Sequence, residues 1–266
     1  MRIVVLVKEV PDTTEVTIDR ETNTLVREGV PSIINPFDMY AIEEALRVRE
    51  SLGEGTVTVL SMGPPQVERS LREALALGVD EAVLLSDRAF AGSDTWSTSY
   101  TLAAGIRKLG DADMILCGKQ AIDGDTAQVG PGVAEFLGIP QVTFVRSLSL
   151  EDGRARAERM VEGGTDVLDV PLPALFTVVK EINEPRLPSL KGKMRAKKAE
   201  ITVWGADDLD VDPSELGLDG SPTRVVRVFA PEPRGEGTIL EGEVEETVPT
   251  LVEALLPIVT GDAQMS

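Results

Sequence analysis

The chain has no histidine, a single cysteine and few aromatic residues, 4% of its 266. Without histidine there is no Ser-His-Asp triad, no imidazole general base and no ordinary zinc site. One cysteine excludes a disulfide within the chain and any cysteine metal cluster. Cys117 ends an apolar run, so it is expected in the core. Positive charge is scarce too, with Lys+Arg 26 against Asp+Glu 45 and a formal net charge of −19. That balance argues against a nucleic-acid partner and against an anionic membrane surface, both of which need a basic face. No apolar run is long enough to span a bilayer. "MRIVVLV" leads straight into "KEVPDTT", without the regions of a secretory leader. The expectation is a cytoplasmic protein with no direct membrane insertion. Apolar residues make up 42% of the chain, enough for the core of one large α/β domain with or without an appendage. Any chemistry falls to carboxylates, lysines or a bound cofactor, which favours a protein that holds a cofactor.

Apolar, β-branched runs alternate with helical patterns. The segments 2–10, 56–63, 81–87, 112–118 and 141–148 read as buried strands. Between them, 35–53, 64–78, 94–110 and 126–138 read as helices. Asn35 is a plausible cap for the first, with Pro36 in its first turn and Gly53 as its stop. Strand–helix alternation of this kind predicts a doubly wound parallel α/β sheet. From 149 onward the pattern turns strand-like around Gly163-Gly164, which predicts an antiparallel addition at a sheet edge. Six basic residues then fall between Arg186 and Lys198 of an otherwise acidic chain. Residues 206–236 are acidic, rich in Pro and Gly and weakly patterned. An amphipathic helix is expected at about 244–259. The expected division is a domain over 1–205 and a C-terminal arm over 206–266 that packs on another chain.

Ligands of doubly wound sheets bind at the carboxyl ends of strands, near the point where the winding reverses. The turn after the first strand lacks both G-x-G-x-x-G and G-x-x-x-x-G-K-[ST]. The richest remaining loop is "GKQAIDGDTAQVGPGVAEF", 118–136, which leaves a strand through Asp-Gly-Asp-Thr and enters a helix through Gln-Val-Gly-Pro-Gly. Small residues and a helix start suit a phosphate. The plain alternative is a capped loop. Asp123 and Asp125 oppose the phosphate reading unless their carboxylates are turned to other partners.

The segments "VKEVPDTT", "INPFDMYAIEEALRVRE", "SMGPPQ", "GKQAIDGDTAQVGPGVAEFLGIPQ" and "EINEPRLPSLKGKMRAKKAEI" together resemble the beta subunit of electron transfer flavoproteins, in order, over residues 1–205. The resemblance implies an adenine-nucleotide-binding fold of the stress-protein and pyrophosphatase type. It implies an alpha-subunit partner carrying a redox FAD. It also implies a bound nucleotide, either structural AMP or a second FAD that bifurcates electrons from NADH. "DGDTAQVGPG" and "SDRAFAGSDTWSTS" look like the two-FAD branch, and Thr13 departs from the tyrosine frequent in the AMP branch. FAD is therefore expected, with AMP as the alternative and NAD as an exchangeable substrate. An acyl-CoA-type dehydrogenase and a ferredoxin or flavodoxin are the expected electron partners. The rival readings are a stand-alone nucleotide-binding stress-type protein and an adenylating enzyme. The missing first-turn phosphate loop weighs against the latter.

On this resemblance Asp123, Gly124, Asp125, Thr126, Gln128, Val129, Gly130 and Pro131 form the phosphate loop. Leu6, Val7 and Lys8 face the adenine edge, or are simply core and strand end. Asn35 bonds the nucleotide or caps its helix. Ser61, Met62 and Gly63 line the adenine or ribose pocket. Asp94 and Thr95 cap the third helix or face a flavin or nicotinamide. Glu184, Pro185 and Arg186 with the loop to Leu190 resemble the family's partner-docking loop, with Leu190 as its apolar anchor. Lys191–Lys198 serve steering or pair with the chain's own acids.

Overall fold

The structure is a computed structural model. It describes residues 1–12, 31–151, 153–227 and 237–260, and the backbone of 18–19 and 24–25. Thr13 lies outside the described residues. Two compact units are present, Met1–Arg227 and Val228–Ser266.

The first unit runs β1 (Arg2–Leu6), β2 (Glu9–Pro11), β3 (Ile18–Asp19), β4 (Thr24–Leu25), β5 (Ser32–Ile34), α1 (Pro36–Leu52), β6 (Thr56–Met62), α2 (Glu68–Leu77), β7 (Glu81–Leu85), α3 (Thr95–Leu109), β8 (Met114–Gly118) and α4 (Val129–Leu137). It continues through β9 (Gln141–Glu151), β10 (Arg154–Val161), β11 (Gly164–Pro171), β12 (Ala174–Val178), α5 (Leu190–Lys198) and β13 (Thr202–Trp204). Nine strands form one sheet in the order β11-β10-β9-β12-β8-β1-β6-β7-β13. From β9 to β13 every pairing is parallel, while β10 and β11 add an antiparallel edge. The sheet is thus α/β and mostly parallel, as its unbroken apolar strands require. The antiparallel addition around Gly163-Gly164 is present as β10 and β11.

The chain fills the β1–β6–β7 side first, then returns to lay β8 on the opposite flank of β1. The winding reverses there, and the helices change face. Leu46 of α1 and Leu71 of α2 pack with Val5 and Val57 on one face of the sheet. Leu102 of α3 and Val133 of α4 pack with Val4 and Leu60 on the other. Burying these aliphatic side chains stabilises the fold by roughly 1.5–3 kcal/mol each.

Three expectations are corrected. The first strand ends at Leu6, and Glu9–Pro11 pairs with Ser32–Ile34 instead. The cause is that the Lys8 N–H bonds the Asp38 carboxylate rather than a ladder carbonyl. The fifth strand is not a uniformly buried one: β9 starts parallel to β12 and continues as the exposed partner of β10. The arm does not begin at 206, because the division falls after Arg227. Leu209 and Leu216 are buried against the α3 and α4 face, and the Leu218 N–H bonds the Ala91 carbonyl. Cys117 is buried as expected.

In the second unit, α6 (Val244–Thr260) has an apolar stripe at 244, 248, 251, 252, 255, 256 and 259, none of it buried. Among the described residues no helix is long and apolar enough to cross a membrane.

Candidate functional site

The register between β1 and β8 ends at Leu6 opposite Cys117. Beyond it the two strand ends diverge, and the start of α1 fills the fork. Asp38 sits in the first turn of α1 and is 5% exposed. One carboxylate oxygen accepts the Lys8 N–H at 2.8 Å and the other the Gly118 N–H at 3.0 Å. Burial drives its pKa up to about 7, against the lowering effect of those hydrogen bonds and of the Lys8 charge. Gly118 must lack a side chain, since a Cβ there would meet Asp38 Oδ1 at 2.5 Å and the Phe37 backbone at 2.6 Å. Burial, and then the Asp38 charge, push the Cys117 thiol up, so it stays an unreactive thiol.

Asn35 does not cap α1 with its side chain. Its Nδ2 donates to the Gln120 carbonyl at 2.9 Å, and its Oδ1 accepts the Ile122 N–H at 3.2 Å. It therefore holds the loop that follows β8. That loop carries both problem carboxylates, and both are turned to partners. Lys8 Nζ reaches Asp123 at 2.6 Å, and Gln120 Nε2 donates to Asp125 at 2.7 Å. Asp125 and Ala127 both adopt positive φ, 51° and 53°. A left-handed residue beside a right-handed one, as at Ala127-Gln128, turns successive N–H groups toward one side. Among the described residues no hydrogen bond reaches the N–H of Thr126, Ala127, Gln128, Val129 or Gly130, the loop and first turn leading into α4. Five such amides at a helix start have the geometry and partial charge that suit an anion.

The glycines of this stretch divide into two kinds. Gly124 has nothing within 4 Å of where a Cβ would sit. Gly130 is small for an inward reason, because its Cβ would press on Thr177 Cγ2 at 2.8 Å and Cys117 Sγ at 2.9 Å. Its amide, not its size, is what it offers to a ligand. Pro131 has no N–H to donate.

Around this loop the other expected residues fall as follows. Leu6 and Val7 are core, on opposite faces of the sheet. Ser61 and Met62 end β6 and Gly63 follows it, directly beside the end of β1, where Leu6 pairs with Leu60. The Ser61 hydroxyl is buried with no hydrogen-bond partner among the described residues. Asp94 is occupied: one oxygen caps α3 through the N–H groups of Trp96 and Ser97, and the other accepts from the N–H and hydroxyl of Thr223. Burial works against its charge, but these bonds prevail and hold it below the usual carboxylate range. Thr95 opens α3 and gives its carbonyl to Ser99, whose hydroxyl also reaches the Val129 carbonyl.

Sequence reasoning missed Asp38 and Lys119. Lys119 follows β8, and its ammonium lies 4.9 Å from the Phe37 ring centre and 5.9 Å from that of Phe144. It has no carboxylate partner among the described residues. Phe144 is held at φ 57°, a strained conformation for an aromatic residue.

The expected docking loop lies against the outer surface of α1, away from the first turn. Arg186 donates to Glu43 at 2.7 Å and to Glu50 at 2.5 Å. Arg47 donates to the Glu184 carbonyl and to Glu43, and Asn183 to Glu44. Burial opposes the charge of Glu43, yet the two arginines hold its carboxyl below the usual range. Pro185 borders a shallow groove with Ile34, Met39 and Tyr40. Beyond the clamp the chain presents Leu187, 90% exposed, Leu190, 77% exposed, and Met194. Arg195 is structural, capping α2 through the Leu75 and Val79 carbonyls. Lys191, Lys193, Lys197 and Lys198 are exposed.

Comparison with known proteins agrees with this architecture. The family model described as "Electron transfer flavoprotein domain" matches residues 22–209. The electron transfer flavoprotein subunit beta of Thermoanaerobacterium thermosaccharolyticum is 55% identical over 256 residues, 96% of this chain and 98% of that protein. The caffeyl-CoA reductase-Etf complex subunit CarD of Acetobacterium woodii is 50% identical over the same shares of both chains. Protein FixA of Bradyrhizobium diazoefficiens is 48% identical over 263 residues, 96% of this chain and 91% of FixA. With such likeness over nearly its whole length, the chain belongs to the electron transfer flavoprotein family, as a member of the beta-subunit type.

Proposed function

We propose that this chain is the beta subunit of a cytoplasmic heterodimeric electron transfer flavoprotein and binds FAD in the crevice between β1 and β8. The observation that carries the reading is the run of five unpaired amides at 126–130, with Asp123 and Asp125 both turned to other partners. The residues fit a dinucleotide. The amides suit a pyrophosphate, and Lys119 adds a positive charge without a competing carboxylate. The orphaned Ser61 hydroxyl at the end of β6 suits a ribose or adenine edge.

A bound FAD would supply the redox step, taking a hydride from NADH and passing one electron toward an alpha-subunit FAD and a dehydrogenase, the other toward a ferredoxin or flavodoxin. The chain's own share is to hold and orient. The 126–130 amides fix phosphates, and the Asn35 and Asp38 contacts fix the loop and strand ends on α1. The exposed Leu187 and Leu190, standing on the Arg186 clamp, suit a dehydrogenase pocket.

The test is to purify the chain with its alpha subunit, denature the complex and count the nucleotides released. Two FAD per heterodimer are expected. One FAD with one AMP would overturn the dinucleotide assignment, and one FAD with no second nucleotide would overturn the crevice as a site.

A further inference from the structure

We propose that Asp38 is the positioning residue of the crevice, tying the diverging ends of β1 and β8 to one point of α1 and so fixing the width of the gap between them. The ligand's identity rests on the reading above; the tie between the strands does not. Both oxygens of the carboxylate are needed, one for the Lys8 N–H and one for the Gly118 N–H. Those two amides lie just past the last residues paired between β1 and β8, Leu6 and Cys117, so no ladder bond joins them across the gap, although Gly118 is still paired with Val178 of β12 on its other side. Gly118 leaves room for the carboxylate and nothing more.

Only an ionised carboxylate satisfies two N–H donors arriving from two sides. An amide offers one acceptor oxygen and turns an NH2 toward the other donor. A protonated carboxyl has the same defect, one of its oxygens carrying hydrogen. Burial pushes the Asp38 pKa up to about 7, so the tie is complete above neutrality and weakens as pH falls below it. The groups that face Asp38 are Lys8 from the end of β1, the Cys117 thiol from β8 and the neutral Asn35 side chain of its own turn. Lys8 is in turn paired with Asp123 of the following loop. Burial keeps the Cys117 thiol neutral between pH 6 and 8.5, so the thiol that faces Asp38 adds no change of its own in that range.

The experiment measures FAD binding to the full-length chain at pH 6 and pH 8.5, for wild type, Asp38→Asn and Asp38→Glu. Hydrogen exchange at the Lys8 and Gly118 amides is followed in parallel. FAD is chosen because the two strongly acidic charges of its pyrophosphate do not titrate in this interval. Wild type is expected to bind about tenfold more tightly at pH 8.5 than at pH 6, the loss being that of one charge-assisted hydrogen bond. Asp38→Asn is expected to bind weakly at both values and to lose protection at both amides. Asp38→Glu, which keeps the charge, is expected to recover part of the pH dependence. Protected amides and unchanged binding in folded Asp38→Asn would overturn the proposal, as would a pH-independent wild type. If the substitution fails to fold, the wild-type pH series and its amide exchange decide alone. If wild type binds no FAD, the nucleotide reading fails, and the exchange rates at Lys8 and Gly118 still test the tie.

Discussion

Helix α1 holds two loops, and it holds them by different physics. At its first turn, the neutral Asn35 and the buried Asp38 grip backbone amides and a carbonyl of the strand ends and the 119–122 segment. Along its outer surface, Glu43 and Glu50 grip the guanidinium of Arg186, whose side chain is 32% exposed. The first grip is dry and geometric, and works at a spacing set by the sheet. The second is ionic, running from the buried Glu43 to the exposed Glu50 through a partly solvated guanidinium on a long side chain, and it leaves Leu187 and Leu190 in solvent. A crevice meant to keep a ligand wants the first kind of support. A surface meant to meet a partner repeatedly is served by the second.

The comparison can be broken most forcefully at Gly118. Gly118→Ala forces a methyl against Asp38 and Phe37 and is expected to cost about 3 kcal/mol, measured by urea unfolding. Gly124→Ala, in open space on the same loop, is expected to stay within about 0.5 kcal/mol of wild type. Equal effects at the two positions would mean that the first turn of α1 is not a rigid support.

The ionic grip should yield less. Arg186→Ala leaves Glu43 buried with only Arg47 beside it, an expected loss of about 1–2 kcal/mol after allowing for solvent around the guanidinium. Glu43 is held below its ordinary pKa, so its contribution is complete above about 4.5 and fades as pH falls through its folded value. The stability gap between wild type and Arg186→Ala should narrow in acid. Nucleotide content should not change, and a variant that lost its nucleotide would show that the two regions are not independent.

Lys119→Met sharpens the crevice side. It removes a cation that no carboxylate competes for, and a several-fold weaker affinity for FAD with unchanged unfolding is expected from losing one partly solvated charge contact. Leu190→Ala should leave stability within about 0.5 kcal/mol while weakening capture of the dehydrogenase. The smallest effect belongs to Lys191, Lys193, Lys197 and Lys198. Changing each to Gln should lower association by a few tenths of a kcal/mol, visible as a shallower salt dependence.

The sequence made the alternation of strand and helix plain, because Pro36 and Gly53, or Asp94 and Gly110, punctuate helices between unbroken β-branched runs. It also singled out the 123–131 loop, where the structure leaves five successive amides without a partner among the described residues. It hid Asp38, since an acid in the first turn of a helix reads as an exposed complement to the dipole. Nothing local shows that two strand ends close around it. The Arg186 clamp was hidden for a related reason, its partners lying 136 and 143 residues away. Residues 206–227 read as an arm because Leu209 and Leu216 stand as single anchors among acids, prolines and glycines, with no periodicity to mark a buried side.

The most direct test of the nucleotide crevice is hydrogen exchange at the amides of Thr126, Ala127, Gln128, Val129 and Gly130, with and without bound nucleotide in the purified complex. These five amides have no partner within the described chain, so they should exchange fast when the site is empty and slow sharply when it is filled. Bound nucleotide with all five still exchanging fast would contradict the account and place the phosphates elsewhere.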